Sequence, residues 1–386
     1  MRTSEKSPEN AESSNVDLHG LPKHRQIFET LRHEIMLGHY TSSQRLPSEA
    51  QLVRKFGVSR PTASRALRDL QSAGFLERRP GSGTYLRHGA IPHTGTFGLL
   101  IPGLGTTEIF NPICTEISRC AQAEGFGILW GDSSDQDMET RSRRAEELCR
   151  QYVQRKVAGV FFEPLELTPG CEEINRRITE TLIQNHIPVV LLDRDLCQFP
   201  ERSPFDMVGI DNFTAGFRAA THLLKLGSKR IRFLARPSSA PTVELRIAGT
   251  REAFARMGII PEEDLIAYGD PADEKFVHTL LRGTGSKRVD GLVCANDITA
   301  ATLIHTLSLQ EIRVPADVRI VSFDDVKYAT LLSPPLTTIH QPCRDIGTTA
   351  VHVMLQRLKD PNMPPQQILL DAPLVVRKSC GSNIKA

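Results

Sequence analysis

The stretch Leu46–Leu86 reads LPSEAQLVRKFGVSRPTASRALRDLQSAGFLERRPGSGTYL, and its spacing decides the fold of the first part of the chain. Ser48 is placed as a helix N-cap, with Gln51 three residues on completing a capping box. Leu52, Val53 and Phe56 give the short helix an apolar face, and Gly57 supplies the left-handed residue on which a sharp turn ends it. Ser59 opens a second helix that tolerates Pro61 in its first turn. Ala63, Ala66, Leu67 and Leu70 follow at i, i+3, i+4 and i+7, which is one buried stripe. The opposite face carries Arg60, Thr62, Ser64, Arg65 and Arg68, and Gly74 ends the helix.

Working outward, an earlier helix from Lys23 to Leu37 offers Ile27, Phe28, Leu31 and Ile35 to the same core. Beyond Gly74, Phe75–Arg79 and Thr84–Leu86 flank Pro80–Gly81–Ser82–Gly83, two strands around a small turn with a basic flank. Two helices at a tight turn followed by such a hairpin form an α+β winged helix-turn-helix, a shape that lays its second helix in a DNA major groove. Arg60 can pair with guanine O6 and N7 or clamp a phosphate, and both uses remain open. Charge agrees with contact to phosphates. Residues 20–90 hold 12 Lys and Arg against 5 Asp and Glu, whereas the whole chain is only +2.

The rest of the 386 residues is long enough for one or two further domains with real cores. Residues 1–19 are polar with few large apolar side chains and are expected to be a disordered tail, with the DNA-binding domain over 20–87. Residues 88–95 lie in RHGAIPHTG, lack an apolar period, and are expected to be a linker. No apolar stretch follows Met1 as a secretion signal would, and no run of eighteen apolar residues exists, so a cytoplasmic protein without a membrane partner is expected. The eight cysteines are scattered without a CxxC pair, so neither a disulfide framework nor a metal site is expected.

From 96 to about 380, short apolar strands alternate with helical segments. Strands are expected near Phe97–Ile101, Ile128–Trp130, Gly159–Phe162, Pro188–Leu192, Val208–Ile210, Ile231–Ala235, Leu265–Tyr268, Gly291–Cys294 and Ile320–Phe323. That alternation is α/β with parallel sheets, and about ten strands fit two sheets and a central cleft better than one sheet. In such folds ligands bind beyond the carboxyl ends of strands. Those ends carry Asp193, Asp211–Asn212, Asn296–Asp297, Asp324–Asp325 and Gln341. Converging carboxylates and amides suit a polyhydroxylated ligand, although Asp211 and Asp297 also read as caps of the helices that follow them.

Two resemblances bear on these readings. LPSE, VSRPTASRAL and GFLERRPGSGTYL resemble the GntR family of bacterial transcription factors, over about Leu21–Arg87. The resemblance implies Arg60, Thr62 and Ser64 as DNA contacts, with Gly81 and Gly83 in the wing; Ser48, Arg65 and Arg79 are counted with them. Family members often have arginine where this chain has Ala50 and Ser64, and Arg65 stands beside the latter. IPVVLLDRD, VGIDNFTAGFRAATHLLKLGSKRIRFL, DGLVCAND, VPADVRIVSFDD and PPLTTIHQP resemble the effector domain of LacI-type repressors, which shares its type I two-subdomain fold with periplasmic sugar-binding proteins. This implies ligand contacts at Asp193, Arg246, Asn296, Asp324 and Gln341, with Phe110 and Asn111 lining the cleft from the other side. A GntR-type reader joined to a LacI-type sensor is also the arrangement of arabinose-responsive regulators.

The expectation is therefore a homodimeric, sugar-responsive regulator, acting as a repressor on double-stranded operator DNA, without a cofactor. An enzyme reading finds no GxSxG, HExxH or P-loop, and Gly125–Phe126–Gly127 precedes a strand rather than following one. A transport-type solute-binding protein would account for the second part alone and leave the basic reader unexplained.

Overall fold

The computed structural model describes residues 22–36, 40, 45–79, 82–86, 95–102, 104, 108–131, 137–167, 170–261, 264–282 and 288–382. The expected tail, nearly all of the expected linker and Gly81 lie outside the described residues. Apart from residues 123–125, which group with the small unit, the chain divides between residues 93 and 94 into a small unit and a large one.

In the small unit, α1 (Lys23–Met36), α2 (Glu49–Phe56) and α3 (Arg60–Ser72) precede a hairpin of β1 (Leu76–Arg79) and β2 (Gly83–Leu86). The apolar stripes meet as their spacing requires: Ile27, Phe28, Leu31 and Ile35 pack with Ala63, Ala66, Leu67 and Leu70, and Leu46, Leu52, Leu76 and Leu86 complete the core. Ser48 forms the full capping box with Gln51, and Gly57 closes α2 at φ 61°. Ser59 occupies the N-cap of α3 without bonding its backbone, because its hydroxyl pairs with that of Thr62 at 2.8 Å. The hairpin is antiparallel with Leu76 opposite Leu86 and Arg79 opposite Gly83. Arg45 bridges to Tyr85 on its outer side, so the wing begins before α2.

The large unit holds two six-stranded sheets. The first orders its strands β13 (Gln367–Leu370), β7 (Asp206–Ile210), β6 (Val189–Leu192), β5 (Gly159–Phe162), β3 (Thr96–Leu100) and β4 (Gly127–Trp130). The second orders them β14 (Leu374–Val375), β12 (Thr337–His340), β11 (Arg319–Asp324), β10 (Gly291–Cys294), β8 (Ile231–Ala235) and β9 (Ile266–Tyr268). Every pairing is parallel except β12 with β14. Central strands such as β5, β6 and β10 are buried along their whole length, as helices on both faces require. Each sheet with its helices is a lobe, and the chain passes between lobes after β7, after β12 and between β13 and β14.

Strands β13 and β14 are not among the strands expected from sequence. Each is an edge strand completed by a partner far away in the chain, Gln367 beside Met207 and Leu374 beside Ile339. Their short apolar runs, broken by Pro364, Pro365 and Pro373, carry no period of their own.

Helix α7 (Asn212–Lys225) lies against α8 (Pro241–Arg256) at unusually close range. A Cβ on Gly216 would collide with the Arg246 carbonyl, and one on Gly249 with the Phe213 carbonyl. Backbone atoms cannot yield as a flexible side chain does. Gly249→Ala is expected to destabilise the large unit by about 1–3 kcal/mol, read as a lower urea midpoint at unchanged slope. An unchanged midpoint would contradict this packing.

Candidate functional site

On the small unit, the exposed face of α3 carries Arg60, Arg65 and Arg68, with Thr62 and Ser64 half-buried beside them. The Arg60 side chain is 82% exposed, and its Nε lies 3.2 Å from Glu49 Oε2. Arg78 of the wing reaches the same carboxylate at 3.6 Å. Exposed pairs of this kind are worth about 0–1 kcal/mol, so Glu49 steadies both guanidinium groups without holding them against a phosphate or base. Arg79 stacks 4.7 Å from the Tyr85 ring centroid and donates to Glu77 at 2.8 Å. The Ser48 hydroxyl is engaged in capping α2, accepting from the Gln51 amide at 3.3 Å. Gly83 has φ 128°, and a Cβ there would meet Arg45 Nε at 2.8 Å. Arg45, not singled out from sequence, thus lies along the wing backbone.

In the large unit, the carboxyl ends of both sheets bring together a buried polar cluster. From the first lobe come Asp193, which follows β6, and Arg194, only 2% exposed. Arg194 donates to Glu163 at 3.1 Å, pairs with Glu166, and lies 3.3 Å from the Asp193 carboxylate. Its guanidinium sits 5.7 Å from the Phe110 ring centroid. From the second lobe come Arg246, Asp324, Asp297 and the crossing residue Gln341. Arg246, 4% exposed, donates to Asn212 at 2.8 Å and to the Ala295 carbonyl at 2.6 Å, with its guanidinium 4.5 Å from the Phe323 ring centroid. Gln341 donates to Asp324 at 2.9 Å.

The electrostatics follow from burial. Desolvation would lower the Arg194 pKa, but Glu166, Glu163 and Asp193 outweigh it and hold the guanidinium charged. Desolvation pushes Asp324 well above the usual carboxylate range. Arg246 and the Gln341 bond pull it back, while Asp297 and Asp193 push it further up. Asp297 is raised for the same first reason, moderated by bonds from Thr338 and the Val326 amide. The backbone at the strand ends is left-handed, with Asp193 at φ 68°, Asp324 at φ 111° and Asp325 at φ 57°, a conformation that non-glycine residues keep only where their surroundings enforce it. Among the described residues two buried acceptors, Asp193 Oδ1 and Gln341 Oε1, have no hydrogen-bond partner, at a cost of about 1–3 kcal/mol each. Cavities of about 350 Å³ and 160 Å³ are both lined in part by Arg194 and Asp195. Among the described residues no group of His, Cys, Asp and Glu could hold a metal ion.

Asp193, Arg246, Asp324 and Gln341 thus share one electrostatic neighbourhood. Phe110 lies against it through Arg194. Asn296 is adjacent, but its side-chain oxygen caps α10 (Asp297–Leu309) by accepting from Thr299. Asp211 caps α7 in the same manner. Asp297 does not cap α10 as expected, since Asn296 takes that place; as the first residue of the helix it accepts from the Val326 amide and the Thr338 hydroxyl instead. Asn111 is exposed on the first turn of α4 (Phe110–Ala123), and its carbonyl accepts from Thr115. Glu163 and Glu166 were not singled out from sequence, and Asn212 was named only as a strand-end residue. Glu163 directly follows β5, so the strand-end rule that marked Asp193 reaches it as well. Nothing local marks Asn212 as the partner of Arg246.

Residues 23–86 match the bacterial regulatory proteins of the gntR family, and residues 220–380 match the periplasmic binding protein-like domain. The arabinose metabolism transcriptional repressor of Geobacillus stearothermophilus is 27% identical over 374 residues, covering 93% of this chain and 98% of that protein. Among solved structures, the transcriptional regulator CelR in complex with cellobiose aligns with a TM-score of 0.62 at 21% identity, over 86% of this chain and all of that one. A LacI family transcriptional regulator of Enterococcus faecium with bound ribose aligns with a TM-score of 0.59 at 23% identity, over 74% of this chain and 98% of its own. Both structural likenesses are likenesses of fold. Among the described residues no helix is long and apolar enough to cross a membrane. The chain joins a domain that matches the gntR family of bacterial regulatory proteins to one that matches the periplasmic binding protein-like domain.

Proposed function

We propose that this chain is a transcriptional repressor whose hold on operator DNA is controlled by a sugar bound between the two lobes of the large unit. The observation that carries the reading is the pair of buried, unpartnered acceptors, Asp193 Oδ1 and Gln341 Oε1, in a chain whose other unit presents an exposed arginine face on a short helix after a tight turn. Unpaired acceptors between two lobes are satisfied by a ligand that brings hydroxyl hydrogens. The full-length relative is named for arabinose, and two structural neighbours hold cellobiose and ribose, which makes those three the first sugars to test.

In this reading Arg60, Thr62, Ser64 and Arg65 meet the major groove, while Ser48, Arg79, Gly81 and Gly83 approach the backbone. Asp193, Arg246, Asn296, Asp324 and Gln341 bind hydroxyls, and Phe110 and Asn111 complete the cleft. The reader spans residues 20–87, a linker follows to 95, and the sensor occupies 96–380. One reader covers half of a palindromic site, so the working unit is a homodimer. The protein acts in the cytoplasm and carries out no catalysis. Sugar selects one relation of the lobes, and that relation sets the spacing of the paired readers.

Arg60→Ala is expected to weaken operator binding by roughly 1–3 kcal/mol in a fluorescence-anisotropy titration, with sugar affinity unchanged. Operator affinity equal to wild type at moderate salt would contradict the orientation of α3. Asp193→Ala and Arg246→Ala are expected to keep DNA binding and to lose the melting-temperature rise that a bound sugar gives wild type. Either variant responding at the wild-type sugar concentration would mislocate the cleft.

The raised carboxyl of Asp324 also predicts a pH dependence. In the free protein this group keeps its proton from the ordinary carboxylate range up to about pH 8. A sugar hydroxyl that donates to it favours the ionised form, so binding releases a proton and affinity rises with pH across that window. Calorimetry in buffers of different ionisation enthalpy reads the released proton directly. Proton uptake, or none, would contradict a donating hydroxyl at Asp324.

A further inference from the structure

The two lobes meet where the segment after β5 touches the turn that precedes α8. The Leu167 amide of the first lobe donates to the Ser238 carbonyl of the second at 2.8 Å. The Ala240 amide of the second donates to Glu166 Oε2 of the first at 3.0 Å. Glu166 pairs at the same time with the buried Arg194. Leu167 and Ser238, the two ends of the backbone bond, have φ 55° and 57°, so both are in the left-handed region that non-glycine residues rarely enter. Ala240 is the N-cap of α8 and has no side-chain cap of its own. The missing cap comes from the opposite lobe, as a carboxylate at the positive end of a 16-residue helix.

The helix so capped carries Arg246, and α8 is joined to α7 by the glycine contact that leaves no space for a Cβ. Moving the amino end of α8 therefore moves the second lobe as a body. We infer that Glu166 is a positioning residue that latches the lobes: by capping α8 across the cleft while holding Arg194, it makes lobe closure and delivery of Arg246 towards Asp193 a single two-state event. The inference rests on the reading that the cleft is the effector site and names how that site is regulated. Glu166 need not touch the sugar. It sets how large a fraction of the molecules presents a complete site, and a partly populated competent state lowers apparent affinity in proportion.

The test uses the full chain without sugar, and amide hydrogen exchange read by mass spectrometry on peptides containing Leu167 and Ala240. Glu166→Ala removes the carboxylate. Ala240→Pro removes the amide it accepts from and puts a ring carbon in its place, at a residue whose φ of −59° already suits proline. Each variant is expected to speed exchange at Leu167 tenfold or more, although neither alters the Leu167–Ser238 bond itself, while peptides from β5 and β10 keep wild-type protection. Glu166→Gln, which keeps an acceptor, is expected to restore much of the protection. Leu167 exchange unchanged in both Glu166→Ala and Ala240→Pro would overturn the latch and leave Glu166 a local cap. The effector reading is judged separately: if arabinose, ribose and cellobiose all fail to raise the wild-type melting temperature while Leu167 responds as stated, that reading fails and the latch stands.

Discussion

A charged guanidinium at 2% exposure is the constraint on which the sensor unit depends. An ion cannot leave water without partners, and breaking a buried pair by removing one of them costs more than the pair contributes. Arg194 is held by Glu163, Glu166 and Asp193. Those carboxylates come from the ends of two adjacent strands, β5 and β6, so the parallel sheet is what brings them together. Across the cleft, Arg246 answers with Asn212, the Ala295 carbonyl and the neighbouring Asp324 carboxyl. The two lobes thus present opposed, mostly satisfied polar surfaces, and among the described residues the atoms left without a hydrogen bond include the acceptors Asp193 Oδ1 and Gln341 Oε1.

That imbalance connects packing to function. A fully satisfied cluster would bind the lobes together as a static core. Here Asp324 is held with its proton by burial and by neighbouring acids, and Asp193 and Gln341 each keep an unmet acceptor. A hydroxyl-rich molecule relieves both conditions at once. The left-handed backbone at Asp193 and Asp324 has the same meaning, because such conformations are kept where the surroundings demand them. The reader unit works by different physics. Its arginines are exposed and weakly paired, which suits contact with phosphates and exchange between partners.

Much of this was legible in the chain. The stripe Ala63–Ala66–Leu67–Leu70 and the glycine at 57 are local signals, and the small unit forms them as read. The strand-end rule reached Asp193, Asp324 and Gln341 because residues after parallel strands share one rim whatever their distance in sequence. It did not separate Asn296, whose oxygen caps a helix, from residues that face the cluster. Three features had no local signature: the edge strand Gln367–Leu370, the Arg246–Asn212 bond, and the capping of α8 by Glu166. Each is a pairing between segments many residues apart, decided by lobe geometry rather than by composition or period.

In the proposed mechanism, sugar in the cleft changes the spacing of two readers. The most direct measurement is the distance between spin labels carried at the exposed residue Gln71, near the end of α3, on both protomers of a full-length dimer. It is recorded by pulsed electron resonance with and without whichever of arabinose, ribose or cellobiose raises the melting temperature. The distance distribution is expected to shift at the same sugar concentration that changes operator affinity. An operator response with an unchanged distribution would contradict it.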